Sequence, residues 1–513
     1  MNFNKKLAVA VSGTVLLMAG QFALADSTTD IVDALVSKGV LTEEEGKLIS
    51  KGHTSKVEKT AVIKEKDGSF KLESANGNNS IQLTGRVHFD ARAIDGKGSV
   101  TSFINDNDKD SASLADNFEV RRARIGVKGT FAKHYDYEVL TNLVGSSSNL
   151  LDVGYINAGV FKPLQFKVGV FKQPFNLEEY GTSSNNIDFM ERSYVNQITP
   201  AKKGGFMLHG VLENGITYAG SVYQQNTFGE ISNDSTGKGF AGRTSMNLSQ
   251  LMGSKETVFH LGVAGFDSEY GVIPTTSSAG ASVGAATNGT VFGFRSEGRG
   301  MSNIYRAQIG GSLSAGDGGS MPSNSTATVQ NQAYGLELAA AYGPFKIQGE
   351  YSGQDFKARN NVAASSLDAS VKAGYIEAMW MVTGENYADW YKNGAWSGIK
   401  PKNEFNAETL KGLGAWEIGL RYDAFGVNDV SLAGTGSRIG GSVNSGAQNA
   451  TTGDLGGGAR TYTAGVKWQL NPNMRVLANY SRTKFDNAFI PVDISSGTIS
   501  KEDILMVRTQ FNF

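Results

Sequence analysis

Positive side chains recur at every second position in several stretches of this chain, the spacing that sends them to one face of an extended strand. Arg86, Arg122, Arg124, Lys128, Lys167, Arg421, Lys467, Arg475 and Arg508 share one parity with Asp90, Glu138, Glu337, Glu350, Glu377, Glu417 and Asp423. Guanidinium and ammonium groups hold oxyanions by charge-assisted hydrogen bonds, and rings of them ease the passage of an anion that sheds water. The densest positive feature is Arg121-Arg122-x-Arg124. A second group, Arg192, Lys202 and Lys203, shares the segment 174–203 with Glu178, Glu179, Asp188 and Glu191. Two readings stay open on parity alone: a wall that selects anions, or a solvated wall of mixed charge that selects weakly.

Catalytic and metal chemistry find less support. Gly280-Ala281-Ser282-Val283-Gly284 matches the nucleophile pattern G-x-S-x-G, but its Gly/Ser/Ala surroundings offer no strand-to-helix turn to present the serine. The five histidines (His53, His88, His134, His209, His260) lack ligand spacing, and no H-E-x-x-H occurs. With no cysteine, a disulfide scaffold, a thiolate zinc site and a Cys nucleophile are excluded. No cofactor is expected. The 48 Lys+Arg against 49 Asp+Glu, formal net charge −1, argue against a nucleic-acid partner, which calls for a basic excess.

The elements that carry these residues follow from composition and period. Of 513 residues, 64 are Gly, 9 are Pro, 40% are hydrophobic and 19% charged, too polar for a helical membrane protein. Lys5 and Lys6 precede an apolar run from Leu7 to Ala19, and Ala23-Leu24-Ala25 precedes Asp26. That is a secretory signal over 1–25, too short to span a bilayer. Its removal takes two lysines and no acids, leaving a net charge of −3. Residues 26–79 form a periplasmic segment: two short helices within Asp30–Ser50, then a polar linker over 51–79. Ile31, Leu35 and Val36 make one stripe, Gly39 ends the first helix, and Thr42 caps the Glu43-Glu44-Glu45 start of the second.

From residue 80 to 513 the period is two. Tyr334, Leu336, Leu338, Ala340, Tyr342 and Trp416, Ile418, Leu420, Tyr422 each alternate with polar residues and carry aromatic rings at their ends. A barrel in lipid needs that alternation and those terminal rings. Seventeen segments carry the pattern: 80–91, 117–131, 135–145, 151–162, 165–173, 204–212, 215–226, 239–249, 256–268, 303–314, 330–342, 344–357, 370–383, 413–424, 460–470, 473–485 and 503–513. Bacterial barrels have even strand numbers and alternate long outer loops with short periplasmic turns. Keeping 303–314 would put the tight turns at Gly343 and Asn471-Pro472 on the wrong side. The expectation is therefore an all-β fold, a 16-stranded antiparallel transmembrane barrel facing outer-membrane lipid. Its long loops fall at 92–116, 174–203, 227–238, 269–329, 425–459 and 486–502, with 174–203 placed to fold inward and narrow the lumen. One long connection, 384–412, breaks the alternation and reads as an ordered periplasmic insertion. The alternating last segment ends on Phe513, like the assembly signal of outer-membrane barrels.

Several of these segments resemble the phosphate-selective porins O and P. They are Phe118–Gly129, Phe166–Glu179, Thr182-Ser183-Ser184 with Met190-Glu191-Arg192, Val382–Glu385, Ile399–Lys402 and Gly414–Asp423. The resemblance spans about Gly85 to Phe513. It implies a homotrimeric outer-membrane porin of sixteen strands, with a long connection of its own near 384–412. It further implies passive uptake of small anions such as phosphate or polyphosphate, held by basic residues of the channel. Arg121 and Arg122 match the family's paired arginines on the second strand. Two places depart from the phosphate-selective pattern. Glu178, Glu179 and Tyr180 stand where a lysine precedes the Thr-Ser-Ser, and 273–290 holds Ile-Pro-Thr-Thr with Gly, Ala and Ser in place of an arginine ladder. Arg295 and Arg299 follow a little later. The alternative is a general, weakly selective porin without phosphate specificity.

Overall fold

The computed structural model describes residues 32, 35–49, 60–66, 69–103, 112–144, 150–213, 215–225, 237–272, 290–298, 304–309, 327–360, 365–433, 437–440, 455–489 and 494–513. The expected signal, the G-x-S-x-G match, the segment 273–289 and Arg299 lie outside the described residues. The chain divides into two compact units, the smaller comprising 1–66, 70–82 and 129–133.

In the smaller unit, residues 43–49 are helical and start on a reciprocal cap. Thr42 Oγ1 accepts from Glu45 N at 3.2 Å while Glu45 Oε2 accepts from Thr42 N at 2.9 Å, satisfying two donors that the helix start leaves open. Gly39, at φ +69°, ends the preceding helical turn and donates its N–H to Val36 O at 3.0 Å. The linker expected over 51–79 differs from the structure in its second half. Val62–Lys66 and Ser69–Glu73 are paired strands, and the latter also pairs with Ser80–Gln82. Phe70 and Leu72 do alternate with Lys71 and Glu73, but a run this short is hidden by its charges.

The larger unit is a closed barrel of sixteen antiparallel strands, as the loop-length argument requires. Strands β1 to β5 are Ser80–Phe103, Ala112–Phe131, Tyr135–Asn142, Leu151–Phe161 and Leu164–Lys172. Strands β6 to β10 are Lys202–Val211, Thr217–Gln224, Lys238–Asn247, Thr257–Val272 and Ala327–Tyr342. Strands β11 to β16 are Phe345–Asn360, Ser365–Met381, Ala415–Ala433, Gly457–Gln469, Met474–Phe489 and Ile494–Asn512. Each strand pairs with its neighbour in sequence, and β16 closes on β1 in a register that sets Arg508 opposite Asp90.

Alternation dictates the wall. On β10, Tyr334, Leu336, Leu338 and Tyr342 are exposed to the lipid side, while Glu337, Ala339 and Ala341 are buried inside. Rings close the apolar band at both ends. Phe345 stacks on Trp380 and Trp416 on Trp468 near the short turns, and Tyr422 meets Tyr462 toward the long loops. Such rings sit where hydrocarbon gives way to headgroups.

The structure redraws three long loops. Strand enters the connections expected at 92–116, 425–459 and 486–502, because β1, β2, β13, β15 and β16 continue beyond the apolar band. Out there the outer face meets water while inner residues such as Ile94, Phe425, Val427 and Ile499 are buried, so the apolar-outward alternation of the lipid band is lost while backbone pairing continues. Of the segment 303–314, the described residues 304–309 stay out of the barrel. Its strand Tyr305–Gln308 is buried on both faces and joins Thr290–Phe294 and Arg438–Gly440 in a separate small sheet. A wall strand must show every second residue to lipid, and this one shows none.

The insertion at 384–412 is ordered. A helical turn, Tyr387–Trp390, leads into a hairpin of Tyr391–Lys392 and Ala395–Trp396. Tyr387, Trp390 and Trp396 are buried against Leu177 and Phe189 of the segment 174–203 and against Met379 and Met381 of the wall. The insertion is thus a wedge beneath that segment.

The alternation predicts that Leu338→Arg, at mid-height of the β10 apolar row, destabilises the barrel by about 2–4 kcal/mol. Urea titration of folding into lipid vesicles measures this, and Gln332→Arg above the band should cost roughly 1 kcal/mol or less.

Candidate functional site

The connection from β5 to β6 runs through the barrel interior, as its position among the long loops suggests. It contains a helical turn at Asn176–Gly181 and another at Tyr194–Gln197. Leu177, Phe189, Met190 and Tyr194 are each at most 1% exposed. A buried loop must satisfy its backbone groups without water. Here wall carboxylates accept from its N–H groups: Glu350 from Leu177 and Glu178 at 2.8 Å each, and Asp423 from Tyr194 at 2.8 Å. Wall cations donate to its carbonyls: Arg508 to Met190, Arg421 to Glu191 at 2.9 Å, and Arg475 to Ile187 at 3.4 Å. Asp188 is held by Lys346 and, at 3.4 Å, by Lys467.

Glu191 is the central anchor. Its carboxylate accepts from Arg121 Nε at 2.9 Å and Nη2 at 3.2 Å, from Arg92 at 3.2 Å and from Arg508 at 3.1 Å. Burial works against its charge, but Arg121, Arg508 and Arg122 outweigh this and hold the carboxyl well below its usual range. Arg508 is fully buried and also grips Asp90 at 2.6 and 2.7 Å.

The paired arginines break the two-residue period. Phe118, Val120 and Ile125 are exposed on the lipid side, yet Arg121 reaches Glu191, Arg122 lies 3.4 Å from His88 Nδ1 and Arg124 lies 3.0 Å from Asp152. The alternation slips by one residue at the pair, so both side chains enter the lumen; one extra residue in a strand does this.

Between the loop and strands β1 to β6 lies a cavity of about 660 Å³. Arg86, Arg122, Arg124, Lys167, Lys172, Arg192 and Lys202 line it against Glu138, Asp152 and Glu179. Several cations are engaged. Arg124 and Lys202 share Asp152, Arg192 binds Glu179 at 3.0 Å, and Lys172 donates to the carbonyls of Glu179 and Thr182. Others have no carboxylate partner among the described residues. Arg86 donates to Ser184 Oγ at 2.6 Å, Lys167 lies 4.5 Å over the Tyr155 ring, and Arg122 has His88 alone. A second cavity of about 300 Å³, on the long-loop side, is lined by Arg121, Glu191, Asn196, Arg295 and Glu297 among others. Arg122 and Arg192 line both cavities and mark the neck between them.

The sequence-derived cations therefore separate by place. Arg86, Arg122, Arg124, Lys167, Arg192 and Lys202 converge on the cavity, and Arg121 and Arg295 on the chamber above. Lys203 binds Gln225 O at 2.7 Å and faces a side pocket of about 440 Å³. Lys128 lies further along β2 and is exposed. Arg421, Arg475 and Arg508, read as channel-lining, are at most 3% exposed and are sealed behind the loop they hold. Two cations escape the sequence reading. Arg92 has the parity of Asp90, but the strand was expected to end at 91. Lys172 is off the parity of Lys167, because the strand ends there.

The family model of the phosphate-selective porins O and P matches residues 81–288 and 305–513. Porin O of Pseudomonas aeruginosa is 27% identical over 444 residues, covering 83% of this chain and 87% of that protein. Among solved structures, OmpT of Vibrio cholerae aligns with TM-score 0.46 and 9% identity over 85% of this chain and 98% of that one. An anion-selective porin from Comamonas acidovorans gives TM-score 0.44 and 10% identity over 85% of this chain and 100% of that one.

Glu191→Gln weakens three arginine contacts at once and frees the loop at its neck. In planar bilayers the variant should show larger and noisier single-channel conductance than the unmodified chain, with unchanged folding by heat-modifiable gel mobility.

Proposed function

Because the chain belongs to the phosphate-selective porin O and P family, a family of outer-membrane channels rather than enzymes, we propose that it passes small anions, phosphate-like oxyanions among them. The observation that carries this reading is the neck, where Arg122 faces the path with no carboxylate partner among the described residues. An oxyanion entering from outside meets Arg121 and Arg295, passes Arg122 and Arg192, and descends past Arg86, Lys167 and Lys202. Each cation replaces part of the water the ion leaves behind, and several moderate contacts allow release as well as entry. No energy source is required; the solute gradient drives the flow. Assembly into a homotrimer belongs to the same reading and rests on family membership.

One observation favours the weakly selective alternative. Glu179 stands in the stretch where phosphate-selective relatives carry a lysine, and it pairs with Arg192 at 3.0 Å. Burial opposes its charge, but Arg192, Lys172, Lys202 and Arg122 prevail and set its pKa at about 2. It stays ionised at any working pH and offsets Arg192, leaving Arg122 as the principal cation of the neck.

The test is the zero-current potential in a KCl gradient across a planar bilayer. An anion-leaning potential is expected. Arg122→Ala should reduce the anion-to-cation permeability ratio about tenfold, the scale of one unit charge a few ångströms from the ion in a partly aqueous pore. Lys467→Ala should not change the ratio, since Lys467 is bound to Glu417 at 2.5 Å and to Asp188 behind the loop. A cation-leaning potential in the unmodified chain overturns the anion reading. Absence of block by added phosphate, with anion preference retained, favours the weakly selective alternative.

A further inference from the structure

On the lipid side of β12 to β15 there is a groove of about 660 Å³. Ile376, Leu420, Tyr462 and Tyr480 line its apolar floor, and Arg482 and Lys484 stand at one end. That end is the outer one, because β15 leaves the short turn at 471–473 and climbs through Tyr480 to Lys484. The rings of Tyr422, Tyr462 and Tyr480 place the headgroup boundary just beneath these cations.

The register above the rings is unusual. Arg460 lies opposite Lys484, Lys484 opposite Lys501, and Lys501 opposite the position of Lys97. Arg460, Lys484 and Lys501 are all exposed. Like charges directly opposite on a sheet are destabilising, so Lys484 facing Lys501 carries a cost that an anion would relieve. The nearby acids are committed elsewhere. Asp486 pairs with Arg460 at 2.9 Å, and Asp503 with Arg482 at 2.6 Å, opposite the position of Asp95. Lys484 and Lys501 have no ion pair among the described residues.

We propose that this face binds a phosphorylated lipid of the outer leaflet, with its phosphate on Lys484 and Lys501 and an acyl chain along the groove. Charge complementarity selects the headgroup, and the apolar floor ending at a basic row matches a lipid that is hydrocarbon below and anionic above. Polybasic segments at a membrane surface attract anionic headgroups in the same way, each cation adding to the binding. This site faces lipid and stands independently of what the channel conducts.

Native mass spectrometry of the full chain in mild detergent, titrated with diphosphorylated lipid A and with its phosphate-free form, tests it. The phosphorylated form should be retained preferentially. Lys484→Ser combined with Lys501→Ser should weaken that retention about tenfold or more, while Lys372→Ser on the same outer face should leave it unchanged. Lys484→Gln alone should give an intermediate loss. Equal retention of both lipids, or a double variant that matches the unmodified chain, overturns the proposal. So does a lipid-free oligomer that falls apart only in the double variant, because the row would then contact a second copy of the chain.

Discussion

The lumen depends on one buried carboxylate. Glu191 draws Arg121, Arg92 and Arg508 from the wall onto the inward-folded loop, and through Arg508 it is linked to Asp90 across the β1–β16 closure. Taking charges out of water is costly, and such a network holds only when each charge is compensated and hydrogen-bonded. Glu191 meets that condition by sitting among three guanidinium groups. The consequence reaches the path of the solute. Because Arg121 is spent on the loop, its neighbour Arg122 is left to face the neck. Under the proposed function, two adjacent arginines thus divide structural and transport roles, which the local slip in strand parity makes possible.

The same logic explains why so many charges of lumenal parity never meet the solute. A loop enclosed in a barrel forfeits hydrogen bonds to water at every peptide, and unsatisfied buried groups are costly. Glu350 and Asp423 answer its N–H groups, while Arg421, Arg475 and Arg508 answer its carbonyls. On the far side, Phe292, Phe294 and Tyr305 of the small sheet pack on Tyr194, Phe356 and Phe425. The wedge of Tyr387, Trp390 and Trp396 fills the space below. Apolar packing and paired charge therefore occupy one side of the barrel. The cavity keeps the other, along β1 to β6, where Arg86, Arg122 and Lys167 have no carboxylate partner among the described residues.

What the sequence conveys follows from which physics is local. Alternation is imposed by lipid on every strand, so the sixteen strands and the exclusion of 303–314 could be read from the residues. The continuation of β1 and β13 beyond the bilayer could not, because there the outer face turns to water and the apolar residues, Ile94, Phe425 and Val427, point inward onto partners far away in sequence. Parity likewise identified Arg86, Arg122 and Lys467 as inward, but it cannot tell a cation in the path from one behind a loop. That difference lies in contacts between residues far apart in sequence, such as Arg508 with Met190 or Lys346 with Asp188. The role of 384–412 was equally hidden. Trp390 and Trp396 find their partners in Leu177 and Phe189, two hundred residues earlier.

The departures at the constriction gain a physical sense from this arrangement. Where relatives carry a lysine within the loop, this chain has Glu178 and Glu179, and both are bound at once. Glu178 accepts from Ser193 N at 3.0 Å and Oγ at 2.7 Å, and Glu179 takes Arg192. Cations instead approach the same backbone from the end of β5 and from further along the loop. Lys172 donates to the carbonyls of Glu179 and Thr182, and Arg192 to those of Glu178 and Thr182, at 3.0 Å for each Arg192 contact. The positive charge near the neck is thus carried chiefly by the wall, on Arg86, Arg122 and Lys167, while the loop between β5 and β6 sets Glu178, Glu179, Asp188 and Glu191 against Arg192 alone. A wall strand held by its ladder is more rigid than a loop, so the cations keep their spacing as solutes pass. Under the proposed function, fixed spacing without a loop lysine to close on a bound ion fits the weakly selective alternative, passing varied anions rather than capturing one tightly.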